Sequence, residues 1–245
     1  MTGYETPRFL DAGEAALSIE FGDSVDAQIN ARVLALDAAL SRASPQGLIE
    51  TLPTYRALLV CYEPLVLSRE RLVGLVEAQL AEASRAAAGA SGARWRLPCC
   101  YEGECGEDLA EAAAALGVTP ARFVELHAGA EYRAYMYGFA PGWCYLGGLP
   151  EALALPRRAT PRSPTPPGAV LIGGGLALVA SNPMPTGWYV VGRTPERLFA
   201  PSREPPLFIA PGDLLRFEPV DIASFHALED RAEKGERVAI HEAGP

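Results

Sequence analysis

The chain has 245 residues, 49% of them hydrophobic and 21% charged, and its 21 basic and 30 acidic side chains leave a net charge of −9. That acidity argues against a nonspecific nucleic-acid binder, which needs positive charge to displace counterions, and no run of about 18 apolar residues offers a membrane span. The segment from Met1 to Pro7 has no basic stretch leading into an apolar one, so no secretory signal is expected and the cytoplasm is the default location.

Residues 8–22 read as one strand ending at Gly22-Asp23. Ser24 is the expected N-cap of an amphipathic helix, because Val25, Ile29, Val33, Leu36 and Leu40 recur at spacings of four, four, three and four. Ser44-Pro45-Gln46-Gly47 breaks that helix, and two short strands follow at residues 48–52 and 55–62. Ser68 caps a second helix with Leu72, Leu75, Val76 and Leu80 on its inner face. It gives way to a flexible Ala/Gly/Ser stretch at residues 86–92, and residues 94–97 supply a last strand. The β-α-β-β-α-β order predicts an α+β protein that begins with a ferredoxin-like domain over residues 1–97, its boundary near Pro98.

Residues 107–116 form an alanine-rich helix stopped by Gly117, and Thr119-Pro120 opens a short helix that runs to about His127. A DNA-binding helix-turn-helix does not fit, since the second helix carries one arginine and one glutamate in an acidic chain. Between residues 132 and 219 glycine and proline punctuate short apolar runs at 170–172, 176–180, 188–191, 207–209 and 214–217. Many short strands with frequent turns predict an antiparallel barrel or sandwich over residues 98–222. Pro211-Gly212-Asp213 reads as a turn whose Asp213 bonds backbone amides. Residues 223–245 read as a charged tail with room for one helix, carrying His226 and His241.

Chemistry concentrates in residues 135–148, which hold five aromatics, four glycines and Pro141, the composition of a shaped, aromatic-walled turn. Phosphate-loop and serine-hydrolase signatures are missing. The five cysteines, Cys61, Cys99, Cys100, Cys105 and Cys144, include no C-x-x-C pair and read as reduced thiols, with no metal site expected. Cys144 reads as packing or, less simply, as a nucleophile. His127 is either structural or catalytic, and Trp188 either a core aromatic or a ligand wall. Arg157, Arg158, Arg162 and Arg193 offer rigid donor forks for carboxylate or phosphate, or are simply solvated or ion-paired.

Together these motifs resemble the KipI-like family, also described as allophanate hydrolase subunit 1 and as the B subunit of bacterial 5-oxoprolinase. The resemblance covers about residues 8–220. It rests on Tyr101-Glu-Gly-Glu-Cys-Gly-Glu-Asp-Leu109, the isolated His127, the turn Gly138-Phe-Ala-Pro-Gly-Trp-Cys-Tyr-Leu-Gly-Gly148 and the pair Arg157-Arg158. It rests further on Thr165-Pro-Pro-Gly-Ala-Val170, Gly192-Arg193-Thr194-Pro195 and Pro211-Gly212-Asp213. The chain departs from the family pattern before Trp188, where a tyrosine is missing and Thr186 replaces a glycine, and at Trp143-Cys144.

The resemblance implies that the second domain is a cyclophilin-like β-barrel, half of a carboxyltransferase-type domain. It implies one subunit of a hydrolase complex that opens a small lactam, 5-oxoproline to glutamate, and that is inactive as an isolated chain. ATP with a divalent cation is the implied co-substrate. The implied partners are an allophanate hydrolase subunit 2-like (KipA/PxpC) protein and a LamB/YcsF-like (PxpA) subunit. On this reading Arg157 and Arg193 contact anions, His127 transfers a proton, and Phe139, Pro141, Gly142, Tyr145 and Trp188 bind substrate. Two alternatives accompany it: a regulatory protein that inhibits a sensor histidine kinase by docking, and half of a urea- or allophanate-type carboxyltransferase with a biotin-carrying partner.

Overall fold

The chain turns back on itself almost at once. In the computed structural model, which describes residues 3–89 and 92–242, Arg8–Asp11 (β1) and Ala16–Glu20 (β2) are two antiparallel strands, where the sequence reads as one. Gly13 takes a φ of +78° and the Ala12 N–H donates to the Ala16 carbonyl at 2.9 Å, closing the hairpin. Helix Ala27–Ala43 (α1) follows, then strands Leu48–Pro53 (β3) and Ala57–Tyr62 (β4), then helix Arg69–Gly89 (α2). The N-cap of α1 is Asp26, not Ser24: its carboxylate accepts the N–H groups of Gln28 at 2.8 Å and Ile29 at 3.1 Å.

The sheet order is β1-β2-β4-β3, all antiparallel. Leu17, Ile19, Leu58 and Val60 alternate onto one face, where they pack with Ile29, Val33 and Leu36 of α1 and Leu72 and Val76 of α2. Each such side chain, taken out of water, contributes about 1.5–3 kcal/mol. The edge place beside β2, which the expected order reserves for a strand after α2, belongs to β1. Helix α2 continues through residues 86–89, expected to be flexible, as befits alanine's helix propensity. Residues 90 and 91 of that stretch lie outside the described residues.

Residues 92–245 form the second unit, so the division falls between residues 91 and 92 rather than near Pro98. The reason is pairing: Arg94–Cys100 (β5) runs parallel to Leu214–Val220 (β11) along its whole length, from Arg94 opposite Leu214 to Cys100 opposite Val220. After β5 come helices Leu109–Ala115 (α3) and Pro120–Ala128 (α4), then Tyr132–Tyr137 (β6) and Cys144–Gly147 (β7). Next are Ala169–Gly173 (β8), Leu176–Val179 (β9) and Tyr189–Arg193 (β10). Among the described residues seven strands close a ring in the order β5-β10-β8-β9-β7-β6-β11, antiparallel except for β5 with β11. The α+β class and the barrel expected from the sequence are both present. Residues 207–209 make only an isolated bridge, Leu207 with Phe199.

The barrel interior holds Leu97, Tyr132, Leu146, Val170, Ile172, Val179, Val191 and Phe217. A second apolar layer covers the opposite faces of the same strands: Ala169, Leu171, Leu178 and Val190 pack under Trp143 and Trp188. Strand β8 is therefore buried on both sides, which explains its unbroken apolar run.

Residues 223–242 are part of this unit and not a separate tail. Helix Ile222–Glu233 (α5) follows β11 directly, and Ile240–Glu242 (β12) pairs with β5 through His241 and Trp95. The buried Glu196 carboxylate accepts the N–H groups of Val238 and Ala239, each at 2.7 Å, and fastens the approach to β12.

Asp213 makes the amide contacts expected of it. One oxygen accepts the Ala93 N–H and the other the Ala210 N–H and the Trp95 indole N–H, all at 2.9 Å. Removing the carboxylate leaves three donors without a partner, the Trp95 indole N–H buried and the other two partly so, each such loss costing about 1–3 kcal/mol when the donor is shielded from water. Asp213→Ala is expected to lower unfolding free energy in urea by about 3 kcal/mol or more; a loss below about 1 kcal/mol would show that these bonds do not hold the β5–β11 end together.

Candidate functional site

The Pro156-Arg157-Arg158 segment divides its two arginines between different tasks. Asp108, just before α3, is nearly buried; one carboxylate oxygen accepts the Val190 N–H at 2.8 Å and a hydrogen bond from Arg162. Its own N–H donates to the Val190 carbonyl at 2.9 Å. Arg158 lies 3.5 Å from the other oxygen of Asp108 and 2.8 Å from Glu111, while Arg162 also meets Glu107. Backbone bonds from Arg158 to Gly187 at 2.7 Å and from Arg162 to Thr186 at 2.9 Å complete the strap. Asp108 is the organising residue that residue type alone does not single out; its place in the Tyr101–Leu109 motif is the available signal.

Arg157 is left exposed between these anchors and has no acidic partner among the described residues. Its guanidinium sits over the Trp188 indole, 5.2 Å from the ring centroid, and Tyr145 meets the same indole edge-on at 6.1 Å. Trp188 itself is nearly buried, so it is both a core aromatic and the floor under a cation. Gly173 makes this possible: a Cβ there would come within 3.1 Å of the indole. A fork held by cation–π contact, with its donors uncommitted, has the geometry that suits a carboxylate or phosphate.

The aromatic run is a hairpin: its flanks are the ends of β6 and β7 and its tip is residues 138–143. Gly142, at φ +76°, lies so close to Phe199 that a Cβ would fall 2.2 Å from the Phe199 Cβ. Trp143 is buried and donates its indole N–H to Asn182 at 2.7 Å, and the Pro141 carbonyl accepts from the Ser181 hydroxyl. Phe139 stands out at the tip, 68% exposed, with a left-handed φ of +67°. Cys144 points into the barrel, and burial pushes its thiol up to about 12, which fits packing and not nucleophilic attack.

Arg193 lies elsewhere, on a cavity of about 300 Å³ that also touches Gly168, Ser181, Arg197, Glu229 and Glu233. Its guanidinium pairs with Glu229 of α5 at 2.9 Å and rests over the Phe225 ring at 4.9 Å. His127 is in neither place. It is sealed on α4 among Phe123, Tyr132 and Phe217, its Nδ1 2.9 Å from the Tyr101 hydroxyl, and it reaches no cavity wall. Burial pushes its imidazole down to about 3. The geometry gives His127 a place in the core and no access to a substrate proton.

No group of three metal-ligating side chains occurs among the described residues. The Arg193 cavity lies at the lower limit of small-molecule pockets. No helix among the described residues is long and apolar enough to cross a membrane.

Comparison with known proteins gives a consistent picture. Residues 7–209 match the family described as carboxyltransferase domain, subdomain C and D. The 5-oxoprolinase B subunit of Bacillus subtilis (strain 168) is 32% identical over 230 residues, which is 90% of this chain and 95% of that protein. The crystal structure of TTHA0988 superposes with a TM-score of 0.74 at 35% identity, covering 84% of this chain but only 40% of that one. The urea amidolyase of K. lactis has a TM-score of 0.76 over 99% of this chain and 17% of its own, at 16% identity, a likeness of fold alone.

The sealed His127 has a measurable consequence. Its imidazole is held at about 3 against an ordinary 6.5, so between those values the unfolded chain binds a proton that the folded chain refuses. The stability that comes from keeping it neutral is whole above about pH 6.5 and is lost as pH falls toward 3. His127→Gln is expected to flatten the fall of unfolding free energy between about pH 6 and pH 4 by about 1.4 kcal/mol per pH unit. An unchanged slope in urea titrations would place the ring in contact with water.

Proposed function

This chain is a member of the carboxyltransferase-domain family, subdomain C and D, and we propose on that footing that it is one subunit of a 5-oxoprolinase-type system. The substrate is a small lactam acid, 5-oxoproline, opened to glutamate with consumption of ATP. The observation that carries the proposal is Arg157, an acid-free guanidinium over Trp188, in a chain that aligns along nearly its full length with the B subunit of a 5-oxoprolinase.

In lactam opening the amide C–N bond breaks, the carbonyl carbon gains a water oxygen and the nitrogen gains a proton. This chain supplies binding and orientation. Arg157, steadied over Trp188, receives the ring carboxylate through its fork, and the half-buried Tyr145 beside them bounds the ring. His127 and Cys144 are sealed in the barrel and take no part in proton transfer or attack. On this proposal the acid–base groups and the nucleotide seat lie on the partner subunits, an allophanate hydrolase subunit 2-like protein and a LamB/YcsF-like protein, and one of them completes the half-open wall around Arg157.

Reconstitution with those two partners is expected to release glutamate from 5-oxoproline only when ATP and all three chains are present. In that mixture Arg157→Ala is expected to raise KM for 5-oxoproline about tenfold or more with a smaller effect on kcat, the pattern of lost ground-state binding. Unchanged kinetics in Arg157→Ala would remove the residue from the site, and turnover of a ureido acid in place of 5-oxoproline would redirect the substrate.

A further inference from the structure

The cavity beside Arg193 is separate from the Arg157 wall and is not used by the function proposed above. Its main cation is largely enclosed: the Arg193 side chain is 14% exposed. Nε donates to the Pro167 carbonyl at 3.3 Å and Nη2 to Glu229 at 2.9 Å, while Nη1 has no acceptor among the described residues. The guanidinium is fixed from below by the Phe225 ring at 4.9 Å. Such a fork has donors left for a second acceptor, and empty space lies beside it.

The acid that now fills part of the fork comes from a single helix. Glu229 and Glu233 stand one turn apart on α5 and pair with Arg193 and Arg197, one turn apart in number, at 2.9 and 3.5 Å. The two pairs differ in kind: Glu229 is 33% exposed and Glu233 61% exposed, so the Arg193–Glu229 pair is the inner one. The other Glu229 oxygen is 3.5 Å from His226 on the same helix, which leaves the carboxylate a polar neighbour if Arg193 turns away.

We propose that the Arg193 cavity is a binding site for a small monocarboxylate and that Glu229 is its displaceable internal occupant, so that α5 gates the site. The occupant shows the chemistry of the seat: a carboxylate on an arginine fork. Charge selects the ligand further. Glu229 and Glu233 already face Arg193 and Arg197, and the buried Glu196 on the same cavity is paired with Arg203 at 3.6 Å, so a monoanion that replaces Glu229 keeps the local balance, whereas a phosphate dianion exceeds it. A ligand that takes both terminal nitrogens of the fork must first move Glu229 from Nη2, which lowers apparent affinity by the fraction of molecules in which that nitrogen is free.

The test is calorimetric titration of the full chain with acetate, with 5-oxoproline and with inorganic phosphate. Glu229→Gln is expected to bind acetate about tenfold more tightly than the parent, Glu233→Gln to change it little, and Arg193→Gln added to Glu229→Gln to abolish the gain. Glu229→Asp, which withdraws the carboxylate by one methylene, keeps the test open if the glutamine variant does not fold, and is expected to give a smaller gain. Equal binding by the parent and both Glu229 variants overturns the gate, and tighter binding of phosphate than of acetate overturns the ligand class. Binding that survives loss of Arg193, or no binding to any variant, overturns the site. None of these outcomes touches Arg157, whose role is read from turnover in the three-chain mixture.

Discussion

Closure of the barrel between β10 and β5 is the constraint on which the second unit depends. The ring is joined there by one registered pair, Arg193 with Cys100. The strands come close enough only because position 192 is glycine: a Cβ would lie 2.8 Å from the Cys99 sulfur and 3.0 Å from the Cys100 carbonyl. The next residues lock the turn, with the Thr194 N–H on the Gly168 carbonyl at 2.9 Å and the Thr194 hydroxyl accepting the Glu196 N–H at 3.2 Å. Gly168, at φ +74°, has no room for a side chain against Thr194. The Gly-Arg-Thr-Pro motif is thus a closure device that also delivers Arg193 to a cavity.

From that seam the outer wall follows. Strand β10 carries Val190, whose backbone N–H and carbonyl both engage Asp108, and Asp108 in turn holds Arg158 and Arg162. The strap so fastened crosses beside Thr186 and Gly187 and sets Arg157 over Trp188. Two adjacent arginines of identical chemistry therefore differ by their neighbours alone. One is spent on structure, and the other keeps its donors uncommitted.

Much of the architecture is legible because periodicity reports which side of an element is apolar. The 29-33-36-40 spacing marks α1, and the glycine- and proline-punctuated runs mark β8, β9, β10 and β11. Periodicity does not report which strand is the partner. Residues 94–97 alternate as well as any strand would in either sheet; only their parallel pairing with β11, more than a hundred residues away, assigns them to the barrel. The hairpin at Gly13 does carry a signal, the Asp11-Ala-Gly-Glu14 interruption, which a reading of residues 8–22 as one strand passes over. At the candidate site, residue type singles out Arg157, Arg193 and Trp188 as candidates, but burial is set by packing, and it turns His127 from a candidate acid–base group into a core residue. Glu229 is hidden for the same reason: nothing in a charged segment that reads as a tail shows which arginine it will meet.

The central claim is that the Arg157–Trp188–Tyr145 wall receives the substrate carboxylate. A crystal structure of the three-subunit assembly with 5-oxoproline tests it most directly. The account predicts ligand carboxylate oxygens within hydrogen-bond distance of the Arg157 guanidinium, about 2.7–2.9 Å, with the lactam ring against Tyr145. A ligand bound away from this wall, with Arg157 directed into solvent, would contradict it.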